Sequence, residues 1–73
     1  MPKLKYITSS SGIMGGKPVI SGTRIPISRI LFLMKEGYTP ELIQAQYPHV
    51  PLSTIEAAIN EAISMFEQRL HVQ

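Results

Sequence analysis

Between Gly15 and Arg29 the chain reads GGKPVISGTRIPISR, and no other run limits the fold as much. Gly15, Gly16 and Gly22 give the backbone freedom, Pro18 and Pro26 restrict it, and Val19, Ile20, Thr23 and Ile25 between them are β-branched. Such side chains favour extended backbone, while glycine accepts the conformations that turns require. The spacing predicts a ribbon in which Pro18-Val19-Ile20 and Thr23-Arg24-Ile25 are strands and Ser21-Gly22 is the two-residue turn between them. Lys17, Arg24 and Arg29 ride on it. On local pattern alone, a ribbon that presents cations to a ligand and a ribbon that only covers one end of a helical core stand level.

The rest of the chain is too short for a second domain. With 73 residues and no cysteine, a single domain buries only about 60% of the surface its unfolded form exposes and has no disulfide to supplement its core. Association with another chain is the remaining route to stability. Residues 1–25 form a β arm and hairpin in this reading, and residues 26–70 form three helices. No apolar run approaches the ~20 residues that cross a bilayer, and nothing behind Met1 to Lys5 resembles a secretion signal, so a cytoplasmic location without membrane contact is expected.

Charge is distributed unevenly. Six cations, Lys3, Lys5, Lys17, Arg24, Arg29 and Lys35, precede the first acid, whereas Glu36, Glu41, Glu56, Glu61 and Glu67 face only Arg69, which gives the two halves +6 and −4. An anionic partner such as nucleic acid for the basic half is one explanation; a dimer in which basic ribbon meets acidic helix is the other.

The first helix should begin near Pro26 or Ile27 and stop at Gly37, with Ile27, Ile30, Leu31 and Met34 on its buried stripe. Phe32 and Leu33 fall outside that stripe and are left for a partner chain. Thr39 as cap, Pro40 at the first position and Glu41 in the first turn open a second helix that Tyr47-Pro48 ends. Ser53 and Glu56 have the spacing of a capping box for a third, whose core side is Ile55, Ala58, Ile59, Ala62, Ile63 and Phe66 and which reaches about Arg69 or Leu70. The tight link between the second and third helices matches a helix-turn-helix, and the fold class is mainly α, a small N-terminal β-hairpin followed by a three-helix, homeodomain-like domain.

The glycine-rich run, followed by Gly37-Tyr38-Thr39, then Gln46-Tyr47-Pro48 and a final helix, resembles the family called domain of unknown function 433, whose pattern is "GGKPVI.GTRIPV..IL" and then "G.(S/T).E.I...YP". The likeness runs from about Tyr6 to Phe66. It departs at Ser9 to Met14, where many members carry Asp-Pro and often Cys. The resemblance implies an antitoxin of VapB-like type, built on a helix-turn-helix and paired with a PIN-like ribonuclease toxin.

The residues themselves qualify that reading. The exposed side of the third helix offers Thr54, Asn60 and Gln68 to base edges but also Glu56, Glu61 and Glu67, which phosphates repel. DNA contact is therefore expected to lean on Lys17, Arg24 and Arg29, helped by Lys3 and Lys5, with Thr54 and Asn60 as readers. A structural or protein-binding third helix explains its composition equally well.

Catalysis is not expected. Aspartate is absent, and His49 and His71 are isolated, which leaves neither a Ser-His-Asp set nor a metal site. Lys17 is followed by Pro18, so the Gly16-Lys17 pair is no phosphate loop. No cofactor is implied. Tyr6, Tyr38 and Tyr47 read as core or staple residues.

The chain's end is apolar, with Phe66, Leu70 and Val72 around Arg69. Such a segment packs on its own core or dimer mate, or docks in a toxin groove. In the toxin pair that the resemblance implies, Arg69 would enter an acidic, metal-dependent ribonuclease site. The expected role is thus a non-enzymatic antitoxin that binds the toxin, dimerises and binds operator DNA, using Phe32, Leu33, Phe66, Arg69 and Leu70 toward partners. A small DNA-binding regulator without a toxin, or a structural dimerisation module, are the alternatives.

Overall fold

The computed structural model describes residues 4–9 and 14–70, and the side chains of all these except Met14, Arg69 and Leu70. Two short strands and three helices follow one another: β1 (Ile7–Thr8), β2 (Val19–Ile20), α1 (Ile27–Lys35), α2 (Pro40–Gln46) and α3 (Leu52–Leu70), with a 3-10 turn at Met14–Gly16 before β2. The chain is mainly helical, with a small antiparallel pair of strands at its N-terminal end, as the residue pattern led one to expect.

The ribbon is built differently from the expected hairpin. β2 takes β1 as its regular partner, with Ile7 opposite Ile20 and Thr8 opposite Val19. The segment Thr23 to Ile25 forms no strand; it joins β2 on the other side through a single bridge between Val19 and Pro26. Ile20 N–H donates to the Ile25 carbonyl and Ile27 N–H to the Pro18 carbonyl, both at 3.0 Å. The pairing is short because the Ser21-Gly22 turn closes it at one end and α1, beginning at Ile27, ends it at the other. Because β2 is covered from both edges, Val19 and Ile20 have no exposed surface.

The Ser21-Gly22 turn is present. Thr23 N–H donates to the Ile20 carbonyl at 3.0 Å, and Gly22 sits at φ +79°, which a turn with a left-handed third residue requires. Thr23 then uses its hydroxyl twice, donating to the Ile20 carbonyl at 2.7 Å and accepting from Ile25 N–H at 3.0 Å. The run Ser-Gly-Thr thus carries its own hydrogen bonds out of the turn and into the helix that follows.

α1 ends in a Schellman arrangement. Gly37 at φ +99° lets its N–H reach the Met34 carbonyl while Tyr38 N–H reaches the Leu33 carbonyl, at 3.0 and 2.9 Å. The motif also brings Tyr38 toward Leu33, and both belong to the core cluster. α2 is capped as its sequence indicated, with the Thr39 hydroxyl accepting from Leu42 N–H at 3.2 Å and Pro40 at the first position. The connection from Tyr47 to Pro51 is held by Gln44, whose side-chain amide donates to the carbonyls of Pro48 and Val50, while Val50 plugs the core.

α3 starts two positions earlier than the expected capping box places it. The Pro51 carbonyl accepts from the N–H groups of Thr54 and Ile55, so Ser53 lies inside the first turn and is no cap. Proline just before the helix accounts for this: its fixed φ suits the entry, and the carbonyl needed there comes from Pro51 itself.

All three helices pack on one another and β1 lies against α3. The core is wholly apolar among the described residues: Ile7, Ile20, Ile25, Ile27, Ile30, Leu33, Ile43, Val50, Ile55, Ala58 and Ile59 form one cluster. Leu33 is a correction to the sequence reading. It is 3% exposed and Leu31 is 42% exposed, because the buried stripe of α1 is centred on Ile30 and takes Ile27 and Leu33 on its two sides. No helix among the described residues is long and apolar enough to cross a membrane.

Candidate functional site

Lys17, Arg24 and Arg29, the cations expected to meet nucleic acid, are exposed, as is Lys5. Lys17 precedes β2, Arg24 leaves the turn, and Arg29 stands in the first turn of α1. Val19 and Pro26 form the single bridge between this segment and β2, so the three cations stand before a strand, after a turn and at a helix start. Exposed cations spread over neighbouring elements suit a polyanion with spaced phosphates. Arg29 has a further neighbour: its guanidinium carbon is 6.0 Å from the centre of the exposed Phe32 ring. Lys5 lies likewise 5.8 Å from the Tyr6 ring. Lys3, also expected to assist, lies outside the described residues.

The two proposed base readers are not brought together. Thr54 is half-buried in the first turn of α3, whereas Asn60 is exposed near its middle, beside a shallow hollow lined by Pro40, Glu56, Ile59 and Asn60. Six residues of helix turn them about 120° apart, so one groove floor cannot meet both squarely. Glu56 stands on the same hollow as Asn60, and its charge opposes a phosphate there.

Glu61 has a role that the sequence did not disclose. Expected on the open side of α3, it is half-buried, and its two carboxylate oxygens accept the N–H groups of Lys5 and Tyr6, each at 2.9 Å. Ser21 holds the same segment from the other side, through its N–H to the Tyr6 carbonyl at 2.9 Å and its hydroxyl to the Lys5 carbonyl at 3.2 Å. Ser9 adds a hydroxyl donated to the Gly16 carbonyl. The arm before the ribbon is thereby tied to a helix more than 50 residues further along the chain. No local signal reports such a contact, since any exposed glutamate on a helix has the same appearance.

The apolar candidates divide. Phe32 is exposed as expected, while Leu33 belongs to the core and is no partner contact. Ile63 and Phe66, expected inside, are exposed. α3 continues past Ala62, the last of its residues packed against the core, and Ile63, Met65 and Phe66 extend its apolar stripe where no other described element covers it. Leu31 and Leu42 are also exposed and were not singled out. The side chains of Arg69 and Leu70 lie outside the described set, as do His71 and Val72.

A family profile described as "Protein of unknown function (DUF433)" matches residues 7–62. The chain belongs to the DUF433 family. The match takes in β1, β2, α1, α2 and the packed part of α3, and in this DUF433 chain it stops at Ala62, where α3 loses its cover. The uncovered helix end is therefore additional to the matched domain. No curated protein and no solved structure gives a significant match.

Proposed function

We propose that this DUF433 chain is the non-enzymatic antitoxin of a type II toxin–antitoxin pair, which binds and neutralises a PIN-like ribonuclease, acts as a dimer in the cytoplasm and binds its operator DNA. The observation that carries the reading is the uncovered end of α3. Phe66 is 64% exposed on a stripe that is buried two turns earlier, at Ile59, which leaves an apolar anchor ready for a groove on another protein. Arg69 follows it in sequence and supplies a cation for an acidic ribonuclease site. The exposed cations Lys17, Arg24 and Arg29 support the second activity, since exposed positive charge meets a phosphate backbone without reading bases.

Titration of the ribonuclease encoded beside this chain tests the reading. The whole chain should abolish RNA cleavage at a stoichiometric ratio, and a form lacking residues 69–73 should inhibit it far less while keeping its circular dichroism spectrum. A neighbouring protein that neither copurifies with this chain nor loses activity on mixing would refute the antitoxin role. The same ribbon would then serve a DNA-binding regulator without a toxin, which the exposed cations alone support.

A further inference from the structure

Phe32 is the one aromatic ring of α1, and it faces outward. It is 48% exposed, while Ile27, Ile30 and Leu33 turn the apolar stripe of the same helix into the core. The ring has a cation for a neighbour, with the Arg29 guanidinium carbon 6.0 Å from its centre. Lys35 follows three residues later, as Arg29 precedes by three. Residues at these intervals stand beside one another on a helix, each about 4.5 Å further along the axis. The ring thus lies between two cations, and all three side chains are exposed.

The basic ribbon leads into this group. Ile27 N–H donates to the Pro18 carbonyl at 3.0 Å, which sets the residue after Lys17 against the first turn of α1, where Arg29 stands. Lys17, Arg29 and Lys35 therefore follow one another from the ribbon onto the helix. Glu36 is the single acid between Lys17 and Thr39.

Charge and exposure select among the partners that take an exposed aromatic ring. A protein interface centres on apolar side chains and leaves charge to its rim, whereas here a guanidinium lies against the ring and Leu31 is the one other large apolar side chain exposed on α1. A lipid surface takes up the apolar face of a helix, and that face of α1 is occupied by the core. A nucleic-acid base stacks on an aromatic ring while the phosphates on either side of it take cations.

From this arrangement we infer that the outer side of α1 is a binding site for single-stranded nucleic acid, in which Phe32 stacks an unpaired base and Arg29 and Lys35 hold the flanking phosphates. Paired bases stack on each other inside a duplex and offer no face to the ring, so the site distinguishes unpaired from duplex nucleic acid. Operator binding through Lys17, Arg24 and Arg29 needs no aromatic contact; the inference shares Arg29 with that reading and does not rest on it.

Fluorescence anisotropy of a short labelled single strand, and of the same strand annealed to its complement, tests the site. Phe32→Ala should weaken single-strand binding about 10-fold or more and leave duplex binding unchanged. Phe32→Leu, which keeps apolar bulk without a stacking face, should lose as much, and Phe32→Trp should keep the affinity. The chain contains no tryptophan, so the emission of that variant reports the contact directly and should be quenched by the strand. Lys35→Ala should lower the log–log salt slope for the single strand by about 0.7. Circular dichroism should be unchanged throughout, since both side chains lie outside the core. Absence of single-strand binding, full affinity in Phe32→Leu, or an unquenched tryptophan would each overturn the inference. So would a dimer in sedimentation that Phe32→Asp dissociates while single-strand affinity stays intact, the outcome for a ring that contacts a second copy. The duplex affinity of the unaltered chain bears on the operator reading alone.

Discussion

Replacing Glu61 by alanine should detach the N-terminal arm and destabilise the whole domain. Its carboxylate accepts two backbone N–H groups, at Lys5 and Tyr6, each at 2.9 Å. Hydrogen bonds to a charged group contribute about 1.5–3 kcal/mol apiece when well shielded. The Lys5 bond is exposed and the Tyr6 bond only partly buried, which brings the pair down to about 2–3 kcal/mol in total. Alanine regains about 0.4 kcal/mol through its better helix propensity. The net loss is then about 2 kcal/mol, large beside the 3–5 kcal/mol that a core of this size provides. A domain of 60–100 residues shifts its Tm by about 4–8 °C per kcal/mol, so Glu61→Ala should melt about 8–16 °C lower.

Glu61→Gln separates charge from shape. It keeps one acceptor but turns an NH₂ group toward the other N–H, and should lose at least half as much stability as alanine. Far-UV circular dichroism gives the melting temperatures, and hydrogen exchange at the Tyr6 amide reports the arm directly. A melting temperature unchanged to within 2–3 °C, on the order of 0.5 kcal/mol, together with unaltered exchange at Tyr6 would refute the clasp. Fast exchange at Tyr6 with an unchanged melt would show that the arm is tied by Glu61 yet lies outside the cooperative unit.

Leu33→Asp should abolish folding, since it places a carboxylate in an apolar core at a cost of several kcal/mol, whereas Phe32→Asp, one residue earlier, should shift stability by about 0.5 kcal/mol or less; equal effects in a denaturant titration would contradict the burial of Leu33. Gly37→Ala should cost about 1–2 kcal/mol because φ is +99° at that residue, even though a methyl group there meets no neighbour, and a melt that does not move would count against the Schellman end of α1. For DNA, Lys17→Ala and Arg24→Ala should each lower the salt dependence of binding by about 0.9 in the log–log slope, while Asn60→Ala leaves the slope alone and alters sequence preference. Filter binding at several salt concentrations reads both, and a slope that responds to Asn60 but not to Arg24 would reverse the assignment.

What could be read locally was the punctuation of the chain. Gly37, Thr39-Pro40 and the Ser21-Gly22 turn each act on neighbours within a few residues, and each stands where its sequence context placed it. The errors are also of one kind. Ser53 lost the start of the helix to Pro51 by a shift of two positions, since the carbonyl of Pro51 accepts the first helical bonds and a side-chain capping pattern does not register a backbone acceptor. Leu31 and Leu33 flank the same stripe of α1 at similar angular distance, and a hydrophobic pattern does not say which flank the neighbouring elements cover.

The same limit applies to the candidate site. Lys17, Arg24 and Arg29 were legible as cations on a turn-rich ribbon, because charge and turn chemistry are properties of the residues themselves. That β2 pairs with Ile7–Thr8, and that Glu61 grips Lys5 and Tyr6, depended on segments far apart in the chain meeting in space. The apolar stripe of α3 runs unbroken through Ile59, Ile63 and Phe66, so periodicity assigned all of it to the core. Only the packed structure decided that cover ends near Ala62, for burial depends on how far the other elements reach, and a helix carries no record of that in its own residues.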